Sequence, residues 1–392
     1  MVTYFNRRLM LVICLVGITL FSKTHLFAQD TETGSIQDYS NSLRAVQMDL
    51  ASGRTTEAQK RLDSTDKSHR SFEFEFLQKQ LQIARSGGVA SDITQFIPKP
   101  EVKVRYAVLH ELDLRLVSIC QDGGLRIHDF NSKELHAKTV SYTEGGPIWT
   151  GAFSRDGKTF VSGHQNGEAV VWNPATWEAL HKIPVSMKSP VRELIVAPNG
   201  SSIVAEGEEF LELWSLEGEK PTKIENVGER LNFGEGLAFS PQGDQIATGG
   251  MFDVRLYDAR TGKQLKSMRH ASYTMGLEFS PDGKRIASAP RGNVNKFLAV
   301  FDVNADEPLF NAGPFGNYIV GMAFTPDGMR IAATGCEKVL RLFDAATGVI
   351  VLTLDRKECC SKPAFSRDGR LLGWSEPDGY HYVDLALKRA AE

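Results

Sequence analysis

The chain has 392 residues, 48 acidic against 45 Lys and Arg, and five cysteines. A near-neutral balance with no basic stripe argues against nucleic acid as a partner, because phosphate binding needs a net basic field. So few cysteines in a chain this long do not make a disulfide scaffold, and the length exceeds one average domain.

The N-terminus pairs Arg7 and Arg8 with an apolar run from Leu9 to Phe21 and a candidate cleavage point after Ala28, the layout of a secretory signal. The run falls short of the roughly 20 residues that span a bilayer. Export with cleavage is therefore expected, with no membrane span afterwards, and an uncleaved N-terminal anchor is the alternative. The Arg7-Arg8 pair also suits twin-arginine export. Removing residues 1–28 takes away Arg7, Arg8 and Lys23 and no acid, which leaves a mildly acidic chain.

Residues 29–90 form the second segment. Ile36, Tyr39, Leu43, Val46 and Leu50 share one helical face, Gly53 ends that helix, and Thr56 with Gln59 reads as a capping box for a second helix carrying Ala58 and Leu62. Phe72, Phe74 and Phe76 alternate like a strand, but Phe72, Phe76, Leu77, Leu81 and Ala84 suit a helix, which the length and the following Ser86-Gly87-Gly88 favour. Leu50 to Leu62 resembles part of a tetratricopeptide repeat, with Gly53, Ala58 and Leu62 at its small and apolar positions. About one repeat is present. Such units bury a core only by stacking three or more, so packing against the rest of the chain is expected.

From residue 91 onward a single hairpin grammar repeats. Tyr318 to Asp355 shows it best: an apolar run Ile319 to Phe324, the turn Thr325-Pro326-Asp327-Gly328, then Arg330 to Thr334, Val339 to Phe343, a second turn at Asp344 to Gly348, and Val349 to Leu354. The first turn recurs at Ser154-Arg155-Asp156-Gly157, Ala197-Pro198-Asn199-Gly200, Ser240-Pro241-Gln242-Gly243, Ser280-Pro281-Asp282-Gly283 and Ser366-Arg367-Asp368-Gly369. The third strand ends in His128-Asp129, Trp172-Asn173, Trp214-Ser215, Tyr257-Asp258, Phe301-Asp302, Phe343-Asp344 and Val383-Asp384. The spacing of roughly 40–45 residues is that of a four-stranded propeller blade.

These two markers resemble the WD40 repeat. The resemblance covers about residues 100–390 and implies an all-β, seven-bladed propeller behind a short α-helical segment, with a bacterial source suggested by that helical preface. The Gly-His pair usual before the first strand is absent from nearly every copy, and the third strand ends in Trp only twice, so the family's His, Ser/Thr, Asp and Trp hydrogen-bond network is expected to be incomplete. Arg126, Arg255 and Arg341 share one position in the third strand and are expected to lay their stems over the blade with their heads in water. The last blade lacks a good outer strand, and Asp92 to Ile97 is expected to supply it.

Chemical motifs are sparse. There is no Gly-x-Ser-x-Gly elbow, His-Glu-x-x-His or phosphate-binding loop. Gly234-Glu235-Gly236 lacks a third glycine, and Glu206, Glu208, Glu209 and Asp253 read as solvated loop charges. No catalytic residue, metal ligand or cofactor is assigned. Cys120, Cys336, Cys359 and Cys360 are expected as free thiols, with a disulfide from Cys336 to Cys359 or Cys360 as the alternative. The resemblance implies a non-catalytic interaction scaffold. A propeller enzyme, such as a lactonase-like hydrolase or a quinone-dependent dehydrogenase working at the central funnel, is the alternative. Six residues before the end of each first strand stand Phe233, Tyr273 and Tyr318 in three adjacent blades, with Phe315, Arg269 and His270 nearby. In proteins this chain resembles, that position lies on the wide face around the channel mouth, so these six are the expected protein-binding set.

Overall fold

The computed structural model describes residues 34–385 apart from 87–93, 99–103, 111–114, 121, 123, 130–137, 142–143, 187–188, 207–208, 230–235, 271–273, 291–296, 318, 357–361 and 377–378. The expected signal segment and its cleavage point lie outside the described residues, as do Phe233, Tyr273, Tyr318, Cys359 and Cys360.

Three helices come first: α1 (residues 34–51), α2 (Thr55–Asp63) and α3 (Phe72–Arg85). The α1 face bearing Ile36, Tyr39, Leu43, Val46 and Leu50 is buried as its spacing requires, and the three phenylalanines of Phe72 to Phe76 are helical. Gly53, at φ +72°, turns the chain between α1 and α2. The Thr56–Gln59 capping box is a correction. The helix begins at Thr55 after Arg54, which offers no side-chain cap, and Gln59 instead donates to Asp63 within the helix at 2.8 Å. The link is too short to leave Thr56 outside: Arg54 Nη2 is drawn to Asp49 at 2.7 Å, and Arg61 grips the same carboxylate at 2.8 Å.

Strand β1 (Thr94–Pro98) is set apart from the blade that follows it. Blade 1 comprises β2 (Val104–His110), β3 (Arg115–Cys120), β4 (Gly124–Asp129) and β5 (Lys138–Ser141). Blade 2 comprises β6 (Ile148–Phe153), β7 (Phe160–His164), β8 (Glu168–Asn173) and β9 (Glu178–Pro184). Blade 3 comprises β10 (Leu194–Val196), β11 (Ser202–Glu206), β12 (Phe210–Ser215) and β13 (Thr222–Glu229). Blade 4 comprises β14 (Leu237–Phe239), β15 (Gln245–Gly249), β16 (Asp253–Asp258) and β17 (Gln264–Arg269). Blade 5 comprises β18 (Thr274–Phe279), β19 (Arg285–Pro290), β20 (Leu298–Asp302) and β21 (Phe310–Ala312). Blade 6 comprises β22 (Ile319–Phe324), β23 (Arg330–Gly335), β24 (Val339–Asp344) and β25 (Ile350–Asp355). Blade 7 comprises β26 (Ala364–Phe365), β27 (Leu371–Glu376) and β28 (Gly379–Asp384). The four strands of a blade are called a to d from the channel outward.

Strand β1 completes blade 7. It lies antiparallel to β28, with Thr94 opposite Val383 and Ile97 opposite Tyr380. The ring thus closes with its first strand outside its last sheet, as expected from the poor outer strand, and the edge of β28 is paired. The a-strands of successive blades touch around the ring, and β2 meets β27 where it closes.

Close approach near the channel depends on glycine. A Cβ on Gly321 of blade 6 would stand 2.4 Å from the Cα of Lys362 at the start of blade 7, and one on Gly236 would stand 2.7 Å from the carbonyl carbon of Gly276 in the next blade. Because the obstructing atoms are backbone, no side-chain rotation relieves such a contact.

The helices pack on blades 6 and 7. One apolar cluster joins Leu43, Leu62, Phe76 and Leu77 to Leu352, Leu354, Phe365 and Trp374. Phe72 meets Phe365 edge-on at 5.3 Å, and Ser40 Oγ of α1 donates to the Ile350 carbonyl on β25 at 2.5 Å. Each fully buried Leu or Phe stabilises by about 1.5–3 kcal/mol, so the segment is part of the fold.

At the centre of this contact Arg330 and Glu73 are both fully buried. Arg330 Nη2 donates to Glu73 Oε1 at 2.8 Å, Nη1 to Asp344 Oδ2 at 2.8 Å, and the Tyr39 hydroxyl donates to the same Glu73 oxygen at 2.9 Å. Burial works against the Arg330 charge, yet Glu73 and Asp344 outweigh it and raise its pKa. Burial, with Glu73 beside it, also raises that of the Tyr39 phenol.

Candidate functional site

Two faces surround the channel. The a–b and c–d turns lie on one, and the b–c and d–a loops on the other, so loops far apart in sequence are neighbours there. His270, in the d–a loop after blade 4, donates its backbone N–H to the Phe252 carbonyl in that blade's b–c loop at 2.8 Å. The six expected binding residues belong to this second face.

Three of the six can be placed. Arg269 ends β17 with a side chain 86% exposed, in a loose ion pair with Glu307 at 3.8 Å. His270 is a correction: it is buried, with Nε2 bonded to Ser288 Oγ at 3.1 Å and its ring 6.1 Å from that of Phe301. Phe315 is a second correction, since it is fully buried beside Phe343, with its ring centroid 5.2 Å from the Arg341 guanidinium carbon. Both sit in d–a loops that fold inward over the blade, where an imidazole satisfies a buried serine and a ring fills core volume. Neither is available to a partner.

Other residues of this face are exposed. Phe210 begins β12, Met251 and Phe252 form the tip between β15 and β16, and Phe297 immediately precedes β20; Phe252 is the most open, at 61%. All four lie on the b–c side of three consecutive blades, 3 to 5. Sequence reasoning passed over them while following the d–a position. The available signal was Gly250-Met251-Phe252-Asp253: two large apolar residues at a hairpin tip where no core demands them.

In blade 2 a hydrogen-bonded chain ties this face to the sheet. Trp172 Nε1 donates to Ser162 Oγ at 2.7 Å, Ser162 Oγ bonds His164 Nε2 at 2.7 Å, and His164 Nδ1 lies 3.3 Å from the Gly146 carbonyl. A serine that accepts from Trp172 has its proton to give to Nε2, which leaves Nδ1–H for Gly146 and makes the imidazole neutral. Burial pushes its pKa down to about 4. The histidine comes from strand b instead of the loop before strand a, and the turn carries Asn166 where the family's network has Asp. The network is therefore partial, as expected.

The three strand-c arginines are a further correction. Arg126 binds Asp122 at 2.7 Å, Arg255 binds Asp253 at 2.8 Å, and Arg341 pairs with Glu337. An acid at the b–c turn pairs with each head, covering Arg126 and Arg341 more than Arg255, so they form no free basic array. Asp253 also accepts from Ser267 at 2.9 Å, which fixes a carboxylate expected to be loop charge. Cys120 is a buried free thiol and Cys336 is disulfide-bonded, so the expectation of free thiols throughout is corrected at Cys336. Among the described residues no three His, Cys, Asp or Glu are grouped to hold a metal ion, and no helix is long and apolar enough to cross a membrane.

No family model matches the chain. Guanine nucleotide-binding protein subunit beta-1 of Caenorhabditis briggsae is 27% identical over 146 residues, a match that takes in 36% of this chain and 42% of that protein. The chain thus spans less than half the length of this curated relative. The crystal structure of the Myceliophteria thermophila Cps50 (Swd1) beta-propeller domain shares the fold, with a TM-score of 0.61 and 14% identity over 75% of this chain and 100% of that domain. With seven four-stranded sheets around a central channel, the chain has the seven-bladed β-propeller fold that it shares with that domain.

Proposed function

We propose that this protein is an exported, non-catalytic scaffold that binds a protein partner on the b–c and d–a face of blades 3 to 5. The observation that carries the reading is the exposed row of Phe210, Met251, Phe252 and Phe297 across three adjacent blades, with the open guanidinium of Arg269 beside it. Aromatic and Arg side chains dominate the energy of protein interfaces, and a row of them has no role in the core beneath. Phe233, Tyr273 and Tyr318, which the sequence assigns to the same face of blades 4 to 6, extend the proposed surface. Export rests on the N-terminal sequence, and sequencing the mature N-terminus tests cleavage after Ala28.

The interaction is tested by placing a photo-crosslinking residue at position 252, 297 or 180 in native cells and identifying adducts by mass spectrometry. Leu180, exposed on the outer strand β9, is the control. The same partner is expected from 252 and 297 and not from 180, and Phe252→Ala/Phe297→Ala should lose it while melting like the wild type. Equal adducts from all three positions, or a folded double variant that keeps its partner, would refute the surface.

A further inference from the structure

On the opposite face, the half of the central channel nearest the a–b turns is a cavity of about 340 Å³ walled by the inner strands of all seven blades. That size lies in the range of small-molecule sites, about 300–1,000 Å³. Most of the residues that line it are apolar, Val108, Leu194 and Leu237 among them, while backbone and the few charged and hydroxyl groups make about half of the wall polar. The charges within it are few and unevenly placed. Glu278 on the wall is neutralised by Lys362 across the channel, Nζ to Oε2 2.9 Å. In blades 2 to 7 the rim is set by the second residue of the turn, which is Pro198, Pro241, Pro281 and Pro326 in blades 3 to 6 but Arg155 and Arg367 in blades 2 and 7. Blades 2 and 7 both adjoin blade 1, so the two guanidinium groups flank one side of the mouth.

These arginines are not needed to make the turn. Gly157 and Gly369 adopt φ +71°, against +74° and +71° for Gly283 and Gly328 in the proline turns, so the backbone is the same with either residue. Arg forgoes the fixed φ that Pro supplies. Nor does either side chain make an ion pair or hydrogen bond among the described residues. The neighbouring acids are turned inward: Asp156 accepts from Ser154 Oγ at 2.7 Å, and Asp368 from Ser366 Oγ at 2.6 Å. Elsewhere in the ring Arg255, Arg330 and Arg370 are each held by a carboxylate. Two guanidinium forks with no carboxylate partner among the described residues, at the mouth of a cavity lined mostly by apolar side chains, match an acidic head on an apolar body.

We propose that this end of the channel binds a small amphipathic organic acid, its carboxylate held by Arg155 and Arg367 and its apolar body inside the channel. The proposal is independent of the protein-binding face and lies on the other side of the ring.

Octanoate serves as the probe, titrated calorimetrically into the full mature chain, with octanol, octylammonium and inorganic phosphate as comparators. Octanoate should bind at least about tenfold more tightly than any of the three, and added salt should weaken it. Arg155→Pro/Arg367→Pro restores the turn of the other blades, so its melt should equal or exceed that of the wild type while octanoate affinity falls at least about tenfold. Arg155→Gln/Arg367→Gln should lose binding likewise. Four results would each overturn the proposal: no octanoate binding up to about 10 mM, octanol binding equally well, phosphate binding as tightly as octanoate, or a folded proline variant with unchanged affinity.

Discussion

Glu73→Ala is expected to loosen the helices from the ring by removing one of two counter-charges from a buried guanidinium. In the wild type Arg330 Nε and Nη2 donate to Glu73 Oε1 at 3.1 and 2.8 Å, and the Tyr39 hydroxyl donates to the same oxygen. The variant leaves Arg330 with Asp344 and the Met329 and His69 carbonyls, while Nε and Nη2 lose Glu73 and the phenol loses its acceptor. Both Arg330 and Glu73 side chains are fully buried, so the cost of removing the charge from water remains while its compensation falls. Breaking a buried pair on one side costs about 3–5 kcal/mol. Glu73→Gln, which keeps the shape and one acceptor, should cost about half as much, the difference between charged and neutral hydrogen bonds. Urea unfolding would be followed by tryptophan fluorescence, to which Trp374 in the shared cluster contributes as one of five tryptophans, and by far-ultraviolet dichroism. A joint substitution, Glu73→Leu/Arg330→Met, should recover part of the loss, because the carboxylate it leaves without Arg330, Asp344, still accepts from the Thr347 N–H and hydroxyl at 2.9 and 2.8 Å. A Glu73→Ala loss under about 1 kcal/mol, or a double variant no more stable than the single one, would refute this account of the contact.

Gly321→Ala should destabilise the chain by about 1–3 kcal/mol or more, because the added carbon meets the backbone of Lys362; an unchanged melt would show that blades 6 and 7 can separate at no cost. Deleting Thr94–Pro98 should lower the melting temperature and promote self-association through the opened edge of β28, read by light scattering; a stable monomer would count against the closure strand. His164 supplies a pH test. Its folded pKa, about 4, lies below the ordinary value of 6.5, so the unfolded chain binds the extra proton, and stability present above pH 6.5 is lost as pH falls toward 4. The full loss is on the order of 3 kcal/mol. His164→Gln should flatten that part of the urea-midpoint profile, and a variant with the wild-type slope between pH 4 and 6.5 would refute the assignment.

The ring was legible in the sequence because its determinants are local. A Ser-Pro-Asp-Gly turn sets φ, accepts its own hydrogen bonds and recurs in phase with apolar strands, so blade count and even the closing strand followed from residues read a few at a time. The buried face of α1 was legible for the same reason. Arg330 was not. It starts strand b as Arg115 and Arg285 do, and Arg370 stands just before it in blade 7. Arg330 and Arg370 both pair with the Asp that ends strand c of their own sheet, Asp344 and Asp384, but Arg115 reaches the Pro174 carbonyl and Arg285 the Ala345 carbonyl in the next blade, and Arg330 also takes a glutamate 257 residues away. A long cation reaches whatever tertiary packing brings near, and its own position does not say which acid that is. The binding face shows the same limit from the other side. Aligning copies placed His270 and Phe315 near a face, but alignment gives a residue's level along the blade and not whether its loop folds inward. Solvent exposure of Phe252 follows from a different rule: a hairpin tip has no core beneath it, so large apolar residues there stay open whatever the blade does.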